Sequence, residues 1–339
     1  MNPKERAMNT LGRAAADRIP IGELLIDKKV IAGFGKGYED AADFALGEGL
    51  SLVTAVAHFG KVKTGADGSW IDEWGCTYTP TPEMVSHPVA GPITIDTSLS
   101  NFDFPDPDAP QRLGELPLLV EKSKGKVAVN FHSRVAFMWS VYLMGMDGML
   151  MTMAMEPSFA ADLFGRVADV NIKIIRNAIR AGADTVSLGD DYCSNKGPMM
   201  SPYMFREMLL PHLQRAVDVI HEEGAMCIKH CDGNLWPILD DMINTGIDCI
   251  NPLEPVAGMD VVEVKEKYGD RVAIMGNIDC GALLCHGSER EVEEAVLDCI
   301  ERGGHGGGLI ISSSNSIHSG ISPRNYAVML RTAHTYSQL

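Results

Sequence analysis

DTVSLGDDYCSNKGPMMSPYMFREMLLPHLQRAVDVIHEEGAMCIKHCDG, residues 184–233, holds the unit from which the fold is read. A short apolar run ends in two aspartates, an amphipathic stretch follows from 201 to 225, and a second apolar run ends in His-Cys-Asp. Ser201 is placed to cap the middle stretch, Pro202 to open it and Gly224 to end it. Short apolar runs of this kind suit strands buried on both faces. The unit recurs in KVAVNFHS (126–133), DCINPLEP (248–255), RVAIMGNID (271–279) and GGLIISSSNS (307–316). Helical patterns fill the gaps at 156–183 and at 288–304, where Ser288 and Glu291 have the spacing of a capping box. Two earlier runs, RIPIGELLI (18–26) and SLVTAVAH (51–58), flank a helical EDAADFALGEG (39–49). Eight strands alternating with helices predict an α/β fold closed as a (β/α)8 TIM barrel, rather than an open doubly wound sheet.

Residues 60–110 break this rhythm. TGADGSWIDEWGCTYTPT predicts a hairpin turning at Asp67-Gly68, and NFDFPDPDAP a Pro/Asp-rich loop. An insertion here would overhang the carboxyl end of the barrel. Residues 1–339 are otherwise read as one barrel domain. The Gly-rich GGHGGG (303–308) precedes a strand, so it is read as a connection at the inert end and not as a phosphate loop.

The 339 residues carry 45 acidic and 29 basic side chains, a formal charge of −16. So acidic a surface repels phosphate backbones and anionic lipid, which excludes nucleic-acid and membrane roles. No apolar run approaches the ~20 residues of a membrane span, and the first residues lack the apolar core of a secretion signal. A cytoplasmic protein is expected. Eight scattered cysteines without a CxxC pair argue against a disulfide framework.

In a barrel of this type chemistry sits at the carboxyl ends of the strands. Those ends carry His58, His132, Asp190, Asp191, His230, Asp232, Glu254, Asn277, Asp279, Asn315 and His318. Each has a bland alternative: a core histidine bonded to a carbonyl, or an aspartate capping a loop. Independent structural residues would not all choose the same end, so together they predict an active-site funnel. His230 and Asp232, two apart on a strand, project to one side. They fit either a zinc ligand pair or an acid–base pair. With Glu254 and His318 arriving from neighbouring strands, a mixed nitrogen and oxygen site of zinc type becomes the reading.

RIPIGELLID, GDDYCSNKGPMMSPYMFREMLLPHL, HCDGNLWPILDDMINTGIDCINPLEPVAGMD, IMGNID and SSSNSIHSGISPRNY together resemble the uroporphyrinogen decarboxylase superfamily, in the right order and over most of the chain. The opening lacks the Met-Arg-Gln-Ala-Gly-Arg segment of true uroporphyrinogen decarboxylases and resembles instead the cobalamin-dependent methyltransferase branch. Thiol-methylating members of that branch bind zinc through His-x-Cys and a distant Cys. Here only His230 matches, with Asp232 at the Cys position and no cysteine in SSSNSIHSG. Harder ligands suit an oxygen substrate. The resemblance therefore implies a methyltransferase of the O-demethylase kind. It would take methyl from a small methoxylated aromatic and pass it to the cobalamin of a separate corrinoid protein docked at the barrel mouth; a homodimer is compatible with this. It implies catalytic roles for Asp190, Asp191, His230, Glu254 and His318, with zinc held by His230, Asp232 and Glu254. His58, Trp74, Tyr78, Phe131, His132, Asn277 and Asn315 would bind substrate, with Trp70 beside them in the hairpin. Three rivals stay open: methyl transfer in the opposite direction to a thiol or pterin, decarboxylation of a smaller acid, and ligand carriage on an inactive barrel.

Overall fold

The apolar runs become seven parallel strands in the computed structural model, which describes residues 1–82 and 86–337. These are β1 (Leu52–Val56), β2 (Ala128–Ser133), β3 (Thr185–Gly189), β4 (Met226–His230), β5 (Cys249–Asn251), β6 (Ala273–Ile278) and β7 (Leu309–Ser313), paired in chain order. The register sets His132 opposite Ser187, and Gly189 and Asn251 on either side of His230. The residues that end the strands therefore share one level.

The run 18–26, expected as a full strand, forms only isolated bridges, Ile21 to Ile311 and Ile26 to Ile317. Pro20 has no N–H to give; its carbonyl accepts from Ile311 at 2.9 Å, and Gly22 donates back to Ile311 at 3.0 Å. On the other side the carbonyl of Ile21 accepts from Ser51, next to β1, at 2.7 Å. The segment thus links both edges of the curled sheet without a continuous ladder. A Cβ at Gly22 would come within 2.8 Å of the Leu52 side chain, which would have to shift to admit it.

Inside the curl the floor is apolar: Leu52, Ala128, Ile228, Cys249, Ala273, Met275 and Ile310 pack together with Ala7 and Leu11. The last two belong to the helix Pro3–Leu11, whose Asn2–Glu5 capping box is complete. Lys4 of that helix reaches Asp184 at 2.6 Å and fixes it against the amino end of β3. Above the floor the lining turns polar. Asn130 donates to Thr54 at 3.1 Å and to Ser187 at 2.8 Å, and accepts from Thr185 at 3.0 Å.

The outer layer follows the amphipathic patterns. Pro157–Arg180 buries one stripe, including Leu163, Val167, Ile174 and Ala178. Ser201 caps its helix as expected, accepting from Met204 at 3.1 Å, but the run 201–225 divides into Pro202–Met208 and Leu210–Glu222. Pro211, which has no N–H and crowds the preceding turn, accounts for the break. The Ser288–Glu291 capping box of Glu289–Gly303 is present on both sides.

The insertion forms a three-stranded antiparallel sheet, Lys61–Thr64, Trp70–Asp72 and Thr77–Tyr78, turning at Asp67-Gly68. Arg112, buried to 1 % exposure, ties it to the end of β1. Its guanidinium pairs with Glu73 and donates to the carbonyl of His58 at 3.2 Å. No helix among the described residues is long and apolar enough to cross a membrane.

Candidate functional site

Strand β4 ends in His230, whose ring enters the polar lumen. Its Nδ1 lies 2.7 Å from Oδ1 of Asn251. The Asn251 amide has only one orientation open to it, because its Nδ2 donates to the carbonyl of Met275 at 3.0 Å. His230 Nδ1 therefore carries the proton and Nε2 is left facing the mouth. Facing Nε2 are Oδ1 of Asp232 at 3.5 Å and Oδ1 of Asp191 at 4.0 Å.

Asp232 is held from behind, since Asn315 donates to its Oδ2 at 2.7 Å. Its Oδ1 is shielded from solvent and has no hydrogen-bond partner. A buried carboxylate oxygen without a donor costs a few kcal/mol. Burial raises the Asp232 carboxyl above its ordinary range; His230 opposes that rise and Asp191 adds to it. One imidazole nitrogen and two carboxylate oxygens thus lie within 4.8 Å of one another, and Asp191 Oδ1 also accepts from the backbone N–H of Asp232 at 3.1 Å. Tetrahedral zinc with bonds of ~2.0–2.1 Å needs ligand atoms roughly 3.3–3.5 Å apart and leaves one position open in catalytic sites. Asp191, His230 and Asp232 fit that demand after a small contraction.

The structure thus brings together Asp191, His230 and Asp232, where the sequence reading expected His230, Asp232 and Glu254. Glu254 stands beside the group: its Oε2 accepts from the backbone N–H of Gly233 at 2.7 Å, and burial, then the charge of Asp232, push its carboxyl up. Asp190 does not join the group. It is buried, and its two oxygens accept from the N–H groups of Val135, Ala136 and Met138 at 2.8–3.0 Å, clamping the loop after β2. Burial still raises its carboxyl against those donors and Lys229. His318 is also spent elsewhere. Its Nδ1 accepts from Gly320 at 3.2 Å and its Nε2 lies 3.3 Å from the carbonyl of Cys280, so neither nitrogen is free for the group.

His132 does face the lumen, its ring centroid 6.2 Å from that of His230. Ser187 accepts from Asn130 and so has its own proton to give to His132 Nδ1, 3.0 Å away; this puts the remaining N–H on Nε2. Burial, then Arg134 and His230, hold this imidazole well below its usual pKa, so it is neutral. Gly189 makes room for it, because a Cβ there would lie 2.5 Å from Cε1. His58 is exposed beyond β1, and Asn277 donates to the carbonyl of Met259 at 3.3 Å.

The expected aromatic wall is not there. Trp74 has no exposure and stacks on Trp139 at 4.7 Å. Tyr78 stacks on Trp70 at 5.2 Å and donates to Asp72 at 2.9 Å. Phe131 alternates away from His132 into the core outside the strands. These three are packing residues: Tyr78 pairs with Trp70 across the hairpin, while Trp74 and Phe131 are fully buried.

Sequence reading also passed over Asn251, Lys229 and Glu23. Lys229, fully buried on the outer face of β4, donates to the carbonyls of Leu188, Asp190 and His230 and sits 4.6 Å over the ring of Tyr192. Glu23 is fully buried and accepts from Ser312 and Ser313. Each was signalled by a polar side chain inside an otherwise apolar run.

The comparisons with known proteins agree with this architecture. The uroporphyrinogen decarboxylase (URO-D) family model matches residues 77–336. The uroporphyrinogen decarboxylase of Aliivibrio salmonicida is 24% identical over 270 residues, covering 73% of this chain and 70% of its own. That of Vibrio vulnificus is 26% identical over 193 residues, and there the match spans only half of the relative's length. Among solved structures, a methyltransferase from Methanosarcina mazei superposes with a TM-score of 0.78 at 18% identity, covering 99% of both chains, a likeness of fold. With the family model matched over most of its length, the chain belongs to the uroporphyrinogen decarboxylase family.

Proposed function

We propose that this chain is a methyltransferase built on a (β/α)8 barrel, with the 60–110 insertion over its mouth. It takes a methyl group from a methoxylated aromatic compound and passes it to the cob(I)alamin of a separate corrinoid protein. The observation that carries the reading is the donor set: a histidine nitrogen fixed in one tautomer and two carboxylate oxygens, one of them unsatisfied, with no thiolate. Such a set suits an oxygen substrate better than a thiol. The methyltransferase name of the Methanosarcina mazei neighbour is in line with it.

In the reaction the cobalt supplies the electron pair for the new bond to methyl, and the C–O pair stays with the aryl oxygen. Asp191, His230 and Asp232 would hold a zinc ion, which when bound supplies Lewis acidity to the developing phenolate. Asn315 and Asn251 keep Asp232 and His230 aimed. His132 Nε2–H offers a neutral donor to the oxygen from the opposite wall. Val56, 38% exposed at the end of β1, is in line with an accessible mouth.

The test is optical. The protein is mixed with reduced corrinoid carrier protein and methoxylated phenols, and the cob(I)alamin band is followed. Conversion to methylcobalamin with release of free phenol is expected. The names of the curated relatives support decarboxylation as the second reading. No conversion, together with carbon dioxide release from uroporphyrinogen, would replace the first with the second. Demethylation of methylcobalamin by an added thiol or pterin would reverse the direction of transfer.

A further inference from the structure

Lys4, Lys36, Lys122, Lys173 and Lys267 each reach a carboxylate from partly or fully exposed positions. Lys229 is placed differently. It has no exposure, and among the described residues no carboxylate pairs with its ammonium. A buried cation without a counter-ion is costly, so its contacts are where its role has to be sought. All three of its donors go to main-chain carbonyls: Leu188 at 3.2 Å, Asp190 at 2.9 Å, and His230. The ring of Tyr192, 4.6 Å away, faces the same ammonium. Three donors and no acceptor are what three converging carbonyls require, and only an ammonium supplies them on a single atom.

The three carbonyls lie on both sides of one seam. Leu188 and Asp190 belong to the end of β3 and the turn after it, His230 to the end of β4. Gly189 and His230 are the last ladder partners across this seam, so the ladder holds nothing beyond them. Two contacts take over there. One is the Lys229 ammonium on the outer face; the other is the N–H of Asp232, which donates to Oδ1 of Asp191 at 3.1 Å. Asp191 stands on the β3 side, His230 and Asp232 on the β4 side. The peptide held at the Asp190 carbonyl is the one that carries the N–H of Asp191. The 4.0 Å between Asp191 Oδ1 and His230 Nε2 therefore depends on how closely the two strand ends are drawn together.

Resting on the reading that Asp191, His230 and Asp232 hold a zinc ion, we infer that Lys229 is the positioning residue of that site. From the outer face of the sheet its ammonium ties the end of β3 to the end of β4, and so sets Asp191 against His230 and Asp232. Its own contacts are with carbonyls and a ring, not with the ion or the substrate.

Competition titration of metal-free protein with zinc against a chromophoric chelator, together with the visible absorption of bound Co2+, tests this. The proteins are the wild type, Lys229→Met, Lys229→Gln and Val296→Ala, each shown by circular dichroism to be folded. Methionine keeps the length of the side chain without the ammonium, and glutamine offers two donors and an acceptor on a shorter chain. Val296→Ala opens a cavity on the helix Glu289–Gly303, which covers β6 and β7 away from the seam. Lys229→Met should bind zinc about 10–100-fold more weakly than the wild type. Its cobalt spectrum should lose the strong band of tetrahedral coordination. Lys229→Gln should fall between the two, and it carries the test if Lys229→Met does not fold. Val296→Ala should lose stability while keeping wild-type affinity and spectrum. Wild-type affinity and spectrum in either Lys229 variant, or an equal loss of affinity in Val296→Ala, would overturn the inference and leave the zinc reading in place. A wild type that takes up neither ion would remove the zinc reading and the inference together.

Discussion

Glu23 and Asp232, one buried and one partly buried, are treated in opposite ways. Glu23, on the segment that joins the sheet edges, is fully buried and surrounded by donors. Ser312 and Ser313 hydroxyls donate to Oε2 at 3.0 and 2.7 Å, and the Ser313 N–H donates at 3.1 Å to Oε1. Burial raises its carboxyl to about 8 despite those bonds. Asp232, at the end of β4, has a donor on one oxygen only, and the other faces His230 Nε2 and Asp191 with nothing between them. A satisfied buried acid is a fastening. An unsatisfied one beside a second acid and an imidazole nitrogen is held at a cost to stability, and on the proposed function that cost is offset when zinc binds.

The contrast would break first at His230. Its removal takes away the only nitrogen donor of the group, so His230→Ala should fail to retain zinc after dialysis and lose about 10³-fold or more in methyl transfer, equivalent to roughly 4 kcal/mol. Metal content and rate, measured on the same preparation with circular dichroism showing the fold retained, check this. Full metal retention in His230→Ala would mean that the convergence of Asp191, His230 and Asp232 serves something else.

The fastening predicts a stability effect instead. Glu23→Ala strands the Ser312 and Ser313 donors beside a cavity and should cost about 2–4 kcal/mol. The pH dependence sharpens it. An unfolded glutamate loses its proton near 4.5, whereas folded Glu23 keeps it to about 8. Between those values the folded state binds the extra proton, so the Glu23 contribution is greatest below 4.5, falls as pH rises, and is level above about 8. Urea midpoints of the wild type minus Glu23→Gln, taken from pH 5.5 to 8.5, should decline with pH. A flat difference would mean that Glu23 is ionised in the fold.

The same physics explains what could be read from the chain. The strands were legible because each is a short apolar run on a parallel sheet, and their polar ends were legible because seven of them break the run at the same side. His230, Asp232 and Asp191, which the structure brings together, and His132, which faces the same lumen, are among those ends. Asp190 was misassigned because two adjacent aspartates look alike in sequence. Only the path of the β2 loop, more than fifty residues earlier, decides which one its N–H groups consume. The hairpin aromatics are engaged for the converse reason: Trp70 and Tyr78 become each other's surface across the turn, and Lys61 sits over the Trp70 ring. The run 18–26 was overcounted as a strand since Pro20 cannot donate to a ladder. Asn251 lay hidden between two apolar residues and a proline, although a polar side chain inside such a run was itself the signal.

The smallest effect separates the two acids most cleanly, and it is a gain. Asn315 donates to Oδ2 of Asp232, so an asparagine at 232 would turn its carbonyl oxygen to Asn315 and place its amide nitrogen where Oδ1 now stands. That nitrogen would face His230 Nε2, 3.5 Å from the present Oδ1, and Oδ1 of Asp191, both of which accept. The variant removes one of the clustered negative charges and supplies the missing donor in a single step. In metal-stripped protein Asp232→Asn should therefore be more stable than the wild type, by about 0.5–1.5 kcal/mol. With zinc added the order should reverse, because the wild type gains binding energy that the amide cannot match. Thermal melts of both proteins with and without zinc read the two signs directly. A metal-free Asp232→Asn that melts below the wild type would show that Asp232, like Glu23, is holding the fold together.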